Sequence, residues 1–422
     1  MTGKPSSSAA PLRLNALLTD FRLLLILFAT LRVLLLLIYQ PFILDGVERG
    51  ITAGGDFQTY FQIASLSSTV GLPFINWWSE FPPLWSFLSV IIYTLQPNYT
   101  GFAMLLSLIF LLADVGNLIL IKNIAAHLYH EDTAIALSWV YSILVAPLVF
   151  VFWTFEVLVA FSILLAVWYL LCRQDVRSSL AVSIGVLIKF TPIIALAAAW
   201  RYYDVRRALI ITLIVLVVIG GVYLFFFSQN ATMTLPSLTA QFNKASYQTV
   251  WALIDGNFRT GNFGPLEDRL YPERADILIG NPARIPGLVR LALAAVIGLA
   301  VFLKTRRFDD RGLVAFVGLA LLIFFLQAQG WSPQWLVQII PFVLLCFPNR
   351  DGVLLVVLLM LVTFVEYPFL FIRTGDTGGE ITGALLTPFA ALVLARTAIL
   401  IGISVALYRI LRQSRDHQGL IP

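Results

Sequence analysis

The sequence predicts an all-α polytopic membrane protein with about twelve membrane helices. Of its 422 residues, 59% are hydrophobic and only 12% are charged, and the mean hydropathy is +0.88. A soluble domain of this length carries about twice that charged fraction. Long apolar runs recur along the chain, so we expect one integral membrane domain at 21–408, with short cytoplasmic tails at 1–20 and 409–422.

Apolar runs that could form membrane helices are separated by short segments in which basic residues cluster at every second turn. Cytoplasmic loops carry such a basic excess. The alternation places both termini in the cytoplasm and two large loops, at 44–102 and 229–284, on the outer face. The runs lie at about 21–43, 103–123, 133–151, 156–172, 207–228, 285–303, 311–328, 333–347, 351–372 and 386–408.

The segment SSLAVSIGVLIKFTPIIALAAAW at 178–200 is basic on both flanks, and a single crossing there would reverse the charge pattern of every later loop. Pro192 interrupts helical hydrogen bonding, so we expect a re-entrant pair of half-length helices that meet near Lys189. A helix of about eleven residues reaches about halfway through a core of about 30 Å. Counting this pair as two helices gives the total of twelve.

The stretch WWSEFPPLW at 77–85 lies where the first outer loop returns to the bilayer. Its tryptophans suit the headgroup belt, and Pro82 and Pro83 favour the start of a helix that is too short to span. We therefore expect Glu80 at the membrane surface. The tryptophans are Trp77, Trp78 and Trp85.

Three charged residues are candidates for chemistry, and each also has a structural interpretation. Asp56, after two glycines, is either a helix N-cap or a general base, and these roles are compatible. Glu156 either favours a helix N-terminus or is an acid that faces the same outer cavity. Insertion of a lysine near mid-membrane costs about 2.5 to 3.5 kcal/mol. The Lys189 side chain therefore either extends back to the cytoplasm or binds an anion.

Polar amides alternate with indoles in QAQGWSPQWLVQIIPF at 327–342. This composition suits a sugar, which accepts and donates hydrogen bonds and stacks on aromatic rings, and it equally suits an aromatic belt. The candidates here are Trp331, Gln334 and Trp335. Arg373 is an outer cation that could meet a phosphate, with Arg259, Arg269 and Arg274 in reserve.

Several short motifs, in this order, resemble the GT-C class of glycosyltransferases, multispanning enzymes that use polyprenyl-phosphate sugars. The resemblance is nearest to the polyprenyl-phosphate-mannose-dependent mannosyltransferases, with an element similar to the dolichyl-phosphate-glucose-dependent glucosyltransferases. It covers roughly 45–345. The motifs are the acidic first loop with Asp56 and Tyr60, then EFPPLW (80–85), LLADVGNLIL (111–120), WTFEVL (153–158), LIKFTPII (187–194) and WSPQWLVQIIP (331–341).

The resemblance implies roles for individual positions. Asp56 matches the first-loop aspartate that serves as catalytic base, and EFPPLW matches (D/E)YPPL with Phe81 in place of tyrosine. Glu156 falls in a GQFD-like motif that here lacks the Gly-Gln pair, and Lys189 matches a K-x-x-P hairpin. Gln334 and Trp335 fall on an S-x-Q-Y element with tryptophan in place of tyrosine.

The expected function is transfer of a hexose, with mannose implied by the resemblance, from a polyprenyl-phosphate sugar to an acceptor hydroxyl, with inversion and Asp56 as general base. Lys189 and Arg373 would bind the donor phosphate. Tyr60, Glu80, Glu156, Trp331, Gln334 and Trp335 would contact the sugar or acceptor.

The expected partners are the bilayer, the lipid donor and a glycan or glycolipid acceptor, without nucleic acid. No cofactor or metal site is expected, although loop carboxylates leave a weakly held divalent ion open. The expected location is a bacterial plasma membrane in preference to the endoplasmic reticulum, with the site on the outer or lumenal face. A secondary transporter or lipid flippase also predicts about twelve helices, a broken helix and a mid-membrane cation. A polymerase or ligase of lipid-linked glycans shares the donor chemistry.

Overall fold

The computed structural model describes residues 14–39, 55–144, 154–260, 264–374 and 379–413. Within these ranges the structure is helical, with isolated β-bridges only. The predicted tails and the start of the first outer loop lie mostly outside them. The helices of eight or more described residues are α1 (Phe21–Tyr39), α2 (Gly55–Thr69), α3 (Pro83–Leu95), α4 (Tyr99–Leu128), α5 (Glu131–Ile143), α6 (Glu156–Leu171), α7 (Asp175–Ile188), α8 (Ala195–Tyr202), α9 (Val205–Gln229), α10 (Pro236–Asn243), α11 (Gly287–Lys304), α12 (Asp310–Gln327), α13 (Leu336–Cys346), α14 (Arg350–Phe364) and α15 (Leu386–Arg412).

Five helices of the described chain are long and apolar enough to cross a membrane, which together with the composition identifies an integral membrane protein. Three of the five bury only 22%, 17% and 28% of their apolar windows, namely α9, α11 and the helix that contains α15. Their exposed apolar side chains suit contact with lipid. The total of twelve membrane helices and the cytoplasmic position of the termini remain predictions. The five are Tyr99–Leu128, Val205–Gln229, Gly287–Lys304, Asp310–Gln327 and Gly383–Arg412.

The centre of the fold is formed by α4, α6, α12 and α13, whose side chains belong to one continuous hydrophobic core. Every residue of α13 is buried, although Pro341 lies inside this helix. A proline inside a helix removes one backbone hydrogen bond. The helix begins directly after the turn that carries Gln334 and Trp335, so this turn is anchored to the core.

The segment at 178–200 is broken into two helices, as predicted, and the re-entry of this pair into the membrane remains a prediction. The helix α7 ends at Ile188, Lys189 adopts extended backbone angles, and a 3₁₀ turn at Thr191–Ile194 leads into α8. Both ends of the hairpin lie at the same end of the molecule, because Arg207 binds the Asp175 carboxylate at 2.5 and 2.8 Å. A Cβ at Gly185 would lie 2.8 Å from Pro192, so glycine lets the two limbs approach closely.

The tryptophans at 77–85 do not form a headgroup belt, and that prediction is wrong. Trp77 is 0% exposed, Trp78 is 5% exposed and Trp85 is 2% exposed. The physical reason is that the second outer loop folds over this stretch, and Trp78 Nε1 donates to the carbonyl oxygens of Asp268 and Tyr271 at 2.7 and 3.1 Å. The short helix that was expected after the prolines is α3, with Pro82 at its N-cap.

The apolar run at 351–372 is not one continuous helix. Helix α14 ends at Phe364, and Tyr367 lies in extended geometry at φ −135° and ψ 125° within a kinked π-helical segment, Val365–Leu370. Pro368 follows, and a residue before proline is disfavoured in the helical region. The kink directs Glu366 into the protein, where it is 0% exposed.

Candidate active site

The Asp56 carboxylate lies in the first turn of α2, outside the five long apolar helices. Its Oδ2 atom accepts hydrogen bonds from the Tyr60 hydroxyl at 3.3 Å and from Gln334 Nε2 at 3.2 Å. Tyr60 is four residues further along α2, so the two side chains share one helix face. These contacts join the first outer loop to the turn before α13.

Tyr60 is packed into an aromatic cluster and is 3% exposed. Its ring centroid lies 4.9 Å from that of Trp85, which it meets edge-on, 5.8 Å from that of Phe155 and 6.2 Å from that of Phe81. The EFPPLW motif therefore supplies two rings that fix the tyrosine. Because its ring is buried and its hydroxyl points to Asp56, the structure presents Tyr60 as a partner of the carboxylate.

Glu156 and Lys189 form an ion pair beside this carboxylate. Lys189 Nζ donates to Glu156 Oε1, and Gln338 Nε2 donates to Glu156 Oε2. The ammonium group also lies 4.7 Å from the ring centroid of Trp335. Lys189 thus points toward the other candidate residues and away from the end of the hairpin that holds Asp175.

The length of α7 explains how Lys189 reaches this cluster. The helix has 14 residues, which corresponds to about 21 Å, more than the half-thickness expected from sequence. Its tip therefore meets Glu156, the first residue of α6. A buried carboxylate needs a partner of opposite charge, and Lys189 is that partner for Glu156.

Two cationic side chains bind the Glu80 carboxylate. Lys244 Nζ donates to Oε2, and Arg269 Nη2 lies 3.2 Å from Oε1. Burial alone would raise the pKa of Glu80, but the charges of Arg269 and Lys244 outweigh it and lower the pKa to about 2. Glu80 is therefore ionised, and the cluster has one net positive charge.

The electrostatic surroundings of Asp56 bring the pKa of its carboxyl close to neutral pH. Burial raises the pKa of this carboxyl to about 7, opposed by the Tyr60 hydrogen bond. The Glu156 charge raises the pKa further and the Lys189 charge lowers it. A general base is most effective when its pKa lies near the working pH.

The turn at 331–335 is held by contacts from both sides. The Trp335 ring stacks on Phe325 at 4.9 Å and remains partly exposed, whereas Trp331 is 1% exposed. The Arg396 guanidinium covers Trp331 at 4.6 Å from the ring centroid. Trp335 therefore offers a partly open ring, and Trp331 supports the turn.

The second outer loop fixes the same turn through the backbone. The Tyr247 amide donates to the Gln329 carbonyl oxygen at 3.2 Å, and the Trp331 amide donates to the Tyr247 carbonyl oxygen at 3.1 Å. Gly330 lies against the Tyr247 ring so closely that no Cβ fits. The loop at 229–284 therefore contributes directly to the position of Gln334.

Arg373 and two of the reserve cations lie elsewhere. Arg373 is exposed, with its guanidinium 5.7 Å from the Phe369 ring centroid. Arg274 binds Asp268 at 2.8 Å, and Arg259 forms a backbone bridge with Glu380. In the described contacts none of the three is joined to Asp56, whereas Arg269, the third reserve, binds Glu80.

Four residues of this region were not among the sequence candidates. Lys244 and Gln338 were visible only as ordinary polar residues of a loop and a turn. Glu366 and Arg396 form a buried ion pair that Gln248 completes by donating to Glu366 Oε1 at 3.0 Å. Both ionisable residues interrupt apolar runs, and that signal marks functional or paired residues in membrane proteins.

Within the described residues, no group of three or more His, Cys, Asp or Glu side chains is placed to hold a metal ion. Neither a protein-family profile nor a curated protein matches the chain. Solved structures of the Archaeoglobus fulgidus oligosaccharyltransferase match at low similarity. The form tethered to an acceptor peptide has a TM-score of 0.42 at 12% identity, over 93% of this chain and 55% of that one. The apo form gives 0.43 at 13%, over 93% and 56%.

The oligosaccharyltransferase AglB of the same organism, in complex with an inhibitory peptide and a dolichol-phosphate, gives a TM-score of 0.43 at 12% identity, over 93% of this chain and 55% of that one. The chain spans about half the length of these enzymes.

Proposed function

We propose that the protein is a GT-C-type membrane glycosyltransferase. It would move a hexose, mannose by the motif resemblance, from a polyprenyl-phosphate sugar to a hydroxyl of a glycan or glycolipid on the outer or lumenal face. The observation that carries the proposal is the Asp56 carboxylate. It is held by Tyr60 and Gln334, it has a pKa of about 7, and it lies in the same cluster as the Lys189–Glu156 pair.

The chemistry requires one base. The acceptor oxygen attacks the anomeric carbon while the bond from that carbon to the phosphate oxygen breaks and its electron pair leaves with the phosphate. Asp56 takes the proton of the acceptor hydroxyl, and attack opposite the leaving group gives inversion. Phosphate is already a good leaving group, so no second carboxyl acid is needed, in contrast to glycoside hydrolysis. A positioned base of this kind contributes about 10² to 10⁴ in rate.

The departing phosphate needs fixed positive charge. Lys189 is the first candidate because its side chain is 22% exposed and its ammonium lies 4.7 Å from the ring centroid of Trp335. Lys244 is the second, since it and Arg269 leave one net positive charge around Glu80. Arg373 is a weaker candidate than the sequence suggested. Trp335 is the ring available to a sugar, and Gln334 links that ring to the base.

The test is sugar transfer in liposomes from radiolabelled polyprenyl-phosphate mannose, glucose and arabinose, with a membrane-lipid extract as acceptor. Wild type is expected to use one donor, and Asp56→Asn is expected to lose transfer by at least about 10²-fold. Asp132→Asn, an exposed aspartate in the first turn of α5, is the matched control. Unchanged turnover in folded Asp56→Asn protein would refute the mechanism.

A secondary transporter or flippase remains the second candidate, favoured by the broken hairpin and by the buried Glu366–Arg396 pair. The same liposomes discriminate the two functions. Transfer without an ion gradient identifies the transferase, whereas lipid or solute movement that depends on a gradient, without transfer, identifies the transporter.

A further inference from the structure

A buried ion pair joins the kinked segment Val365–Leu370 to α15 and to the second outer loop. Arg396 Nη1 donates to Glu366 Oε2, Arg396 Nη2 donates to the Gln248 carbonyl oxygen, and Gln248 Nε2 donates to Glu366 Oε1 at 3.0 Å. Arg396, Glu366 and Gln248 are 2%, 0% and 1% exposed. The attraction within a buried ion pair does little more than offset the desolvation of its two charges. A role other than stability is therefore expected for this pair.

The loop residue that completes the pair has an uncommon backbone conformation. The φ angle of Gln248 is +52°, in the left-handed region that favours glycine. A residue other than glycine stays there only when its surroundings fix it, and such residues cluster at functional sites. Here Arg396 binds the Gln248 carbonyl oxygen and Glu366 binds its side-chain amide. The ion pair therefore fixes the loop at the residue directly after Tyr247.

The turn at 331–335 receives support from this ion pair by two routes. The Arg396 guanidinium lies 4.6 Å from the ring centroid of Trp331, the first residue of the turn. The Trp331 amide donates to the Tyr247 carbonyl oxygen at 3.1 Å, and the Tyr247 amide donates to the Gln329 carbonyl oxygen at 3.2 Å. Loss of the ion pair would loosen both the ring contact and the strand-like contact with the loop.

The same turn carries Gln334, whose Nε2 atom donates to Asp56 Oδ2 at 3.2 Å. A hydrogen bond to a carboxylate favours its ionised form. We propose that Glu366 and Arg396 are positioning residues that act on Asp56 through Gln334. They fix the loop and the turn, and the turn keeps the amide directed at the carboxylate. The consequence for sugar transfer rests on the proposed function.

The titratable groups that face Asp56 come from the first outer loop, α6, the hairpin, the second outer loop and the kinked segment. Glu366 and Arg396 carry opposite charges, so replacement of both by apolar residues leaves the net charge of the region unchanged. A moved pKa of Asp56 in such a variant then reports a changed geometry of its donors. The groups that face Asp56 are Tyr60, Glu80, Glu156, Lys189, Tyr247 and Tyr367.

The test measures the pKa of Asp56 without any transfer reaction. Dicyclohexylcarbodiimide modifies protonated carboxyl groups of membrane proteins, and Asp56 is partly exposed. Full-length protein in phosphatidylcholine nanodiscs is labelled briefly at a series of pH values, and the labelled fraction of Asp56 is measured by mass spectrometry. For wild type, labelling of Asp56 is expected to fall by half at about pH 7.

The main variant combines Glu366→Leu with Arg396→Met, because proteins often tolerate replacement of a whole buried ion pair by apolar residues. Its half-labelling pH is expected to rise by about half a unit to one unit, since Asp56 loses an oriented donor. Gln334→Leu removes that donor directly and is expected to raise the half-labelling pH by about one unit. Addition of Gln334→Leu to the main variant is expected to cause no further rise, because the two changes act on one contact.

Asp175→Asn combined with Arg207→Met is the matched control. This ion pair lies at the start of α7, at the opposite end of the helix from Lys189. Its removal is expected to leave the half-labelling pH of Asp56 at the wild-type value. A general effect of losing an ion pair would appear in this control as well.

An unchanged half-labelling pH in the folded main variant would overturn the proposal. A rise that adds fully to that of Gln334→Leu would also overturn it, because the pair would then act by another route. Should the main variant not fold, Gln248→Ala decides, since it removes the amide that binds Glu366; a rise supports the proposal and an unchanged value overturns it. Because labelling needs no donor lipid, a wild-type protein without transfer activity would refute the proposed function and leave this result readable.

Discussion

Replacement of Tyr60 by phenylalanine is expected to move the pH at which activity appears upward by about one pH unit. Burial raises the pKa of Asp56 to about 7, and the hydrogen bond from the Tyr60 hydroxyl opposes this effect. The substitution removes the hydroxyl and keeps the ring that contacts Trp85 and Phe155. The carboxylate then loses a donor, and its protonated form becomes more favourable.

The magnitude follows from the geometry. A hydrogen bond to a charged group contributes about 1.5 to 3 kcal/mol, and 1.36 kcal/mol corresponds to one pKa unit. The bond from Tyr60 to Asp56 is 3.3 Å, longer than the usual range for hydroxyl donors, so we take the lower end. The pKa of Asp56 is then expected to move from about 7 to about 8.

The assay is kcat/KM for sugar transfer in liposomes from about pH 5 to about pH 9. The base acts when deprotonated, so activity rises with pH through its pKa. Tyr93→Phe is the control, since that hydroxyl lies 3.5 Å from Ser68 Oγ, and its profile is expected to match wild type. An active Tyr60→Phe enzyme whose profile is unchanged or moved to lower pH would refute the reasoning.

Three further predictions concern the charges around the proposed base. Lys189→Met is expected to move the rise in activity to higher pH and Glu156→Gln to lower pH, because the lysine lowers and the glutamate raises the pKa of the base; profiles that move the same way would contradict this. Glu80→Gln is expected to lower the thermal midpoint of unfolding, measured in detergent, because it removes about 3 kcal/mol of folding stability. This value corresponds to a pKa moved from 4.5 to about 2. The stabilisation is present above about pH 4.5 and is lost as the pH falls toward 2. Lys244→Met is expected to raise the donor KM more than Arg373→Met, and the reverse order would favour the sequence-based assignment.

The sequence predicted local features well. The apolar run at 207–228 corresponds to Val205–Gln229 and the run at 311–328 to Asp310–Gln327, because hydrophobic length is a property of the segment itself. The break between α7 and α8 was predictable from Pro192. The roles of the candidate residues remain predictions, although the structure brings most of them together.

Other features depend on contacts that one sequence does not contain. Lys244 pairs with Glu80 across 164 positions, and nothing near either residue indicates the other. The tryptophans at 77–85 have the composition of a membrane belt, and only the covering second loop makes them core residues. Tyr367 breaks a run whose hydropathy is continuous, and the following proline was the available signal.

The hydrogen bond between Asp56 and Gln334 joins residues 278 positions apart. During synthesis the chain emerges from its N-terminus, so the aspartate enters the membrane environment long before its amide partner exists. In the same way, Glu156 is synthesised before its partner Gln338, which lies 182 positions later in the chain. The cluster is therefore completed late in biosynthesis, and a nascent chain that ends before the turn at 331–335 contains the proposed base and Tyr60 without Gln334.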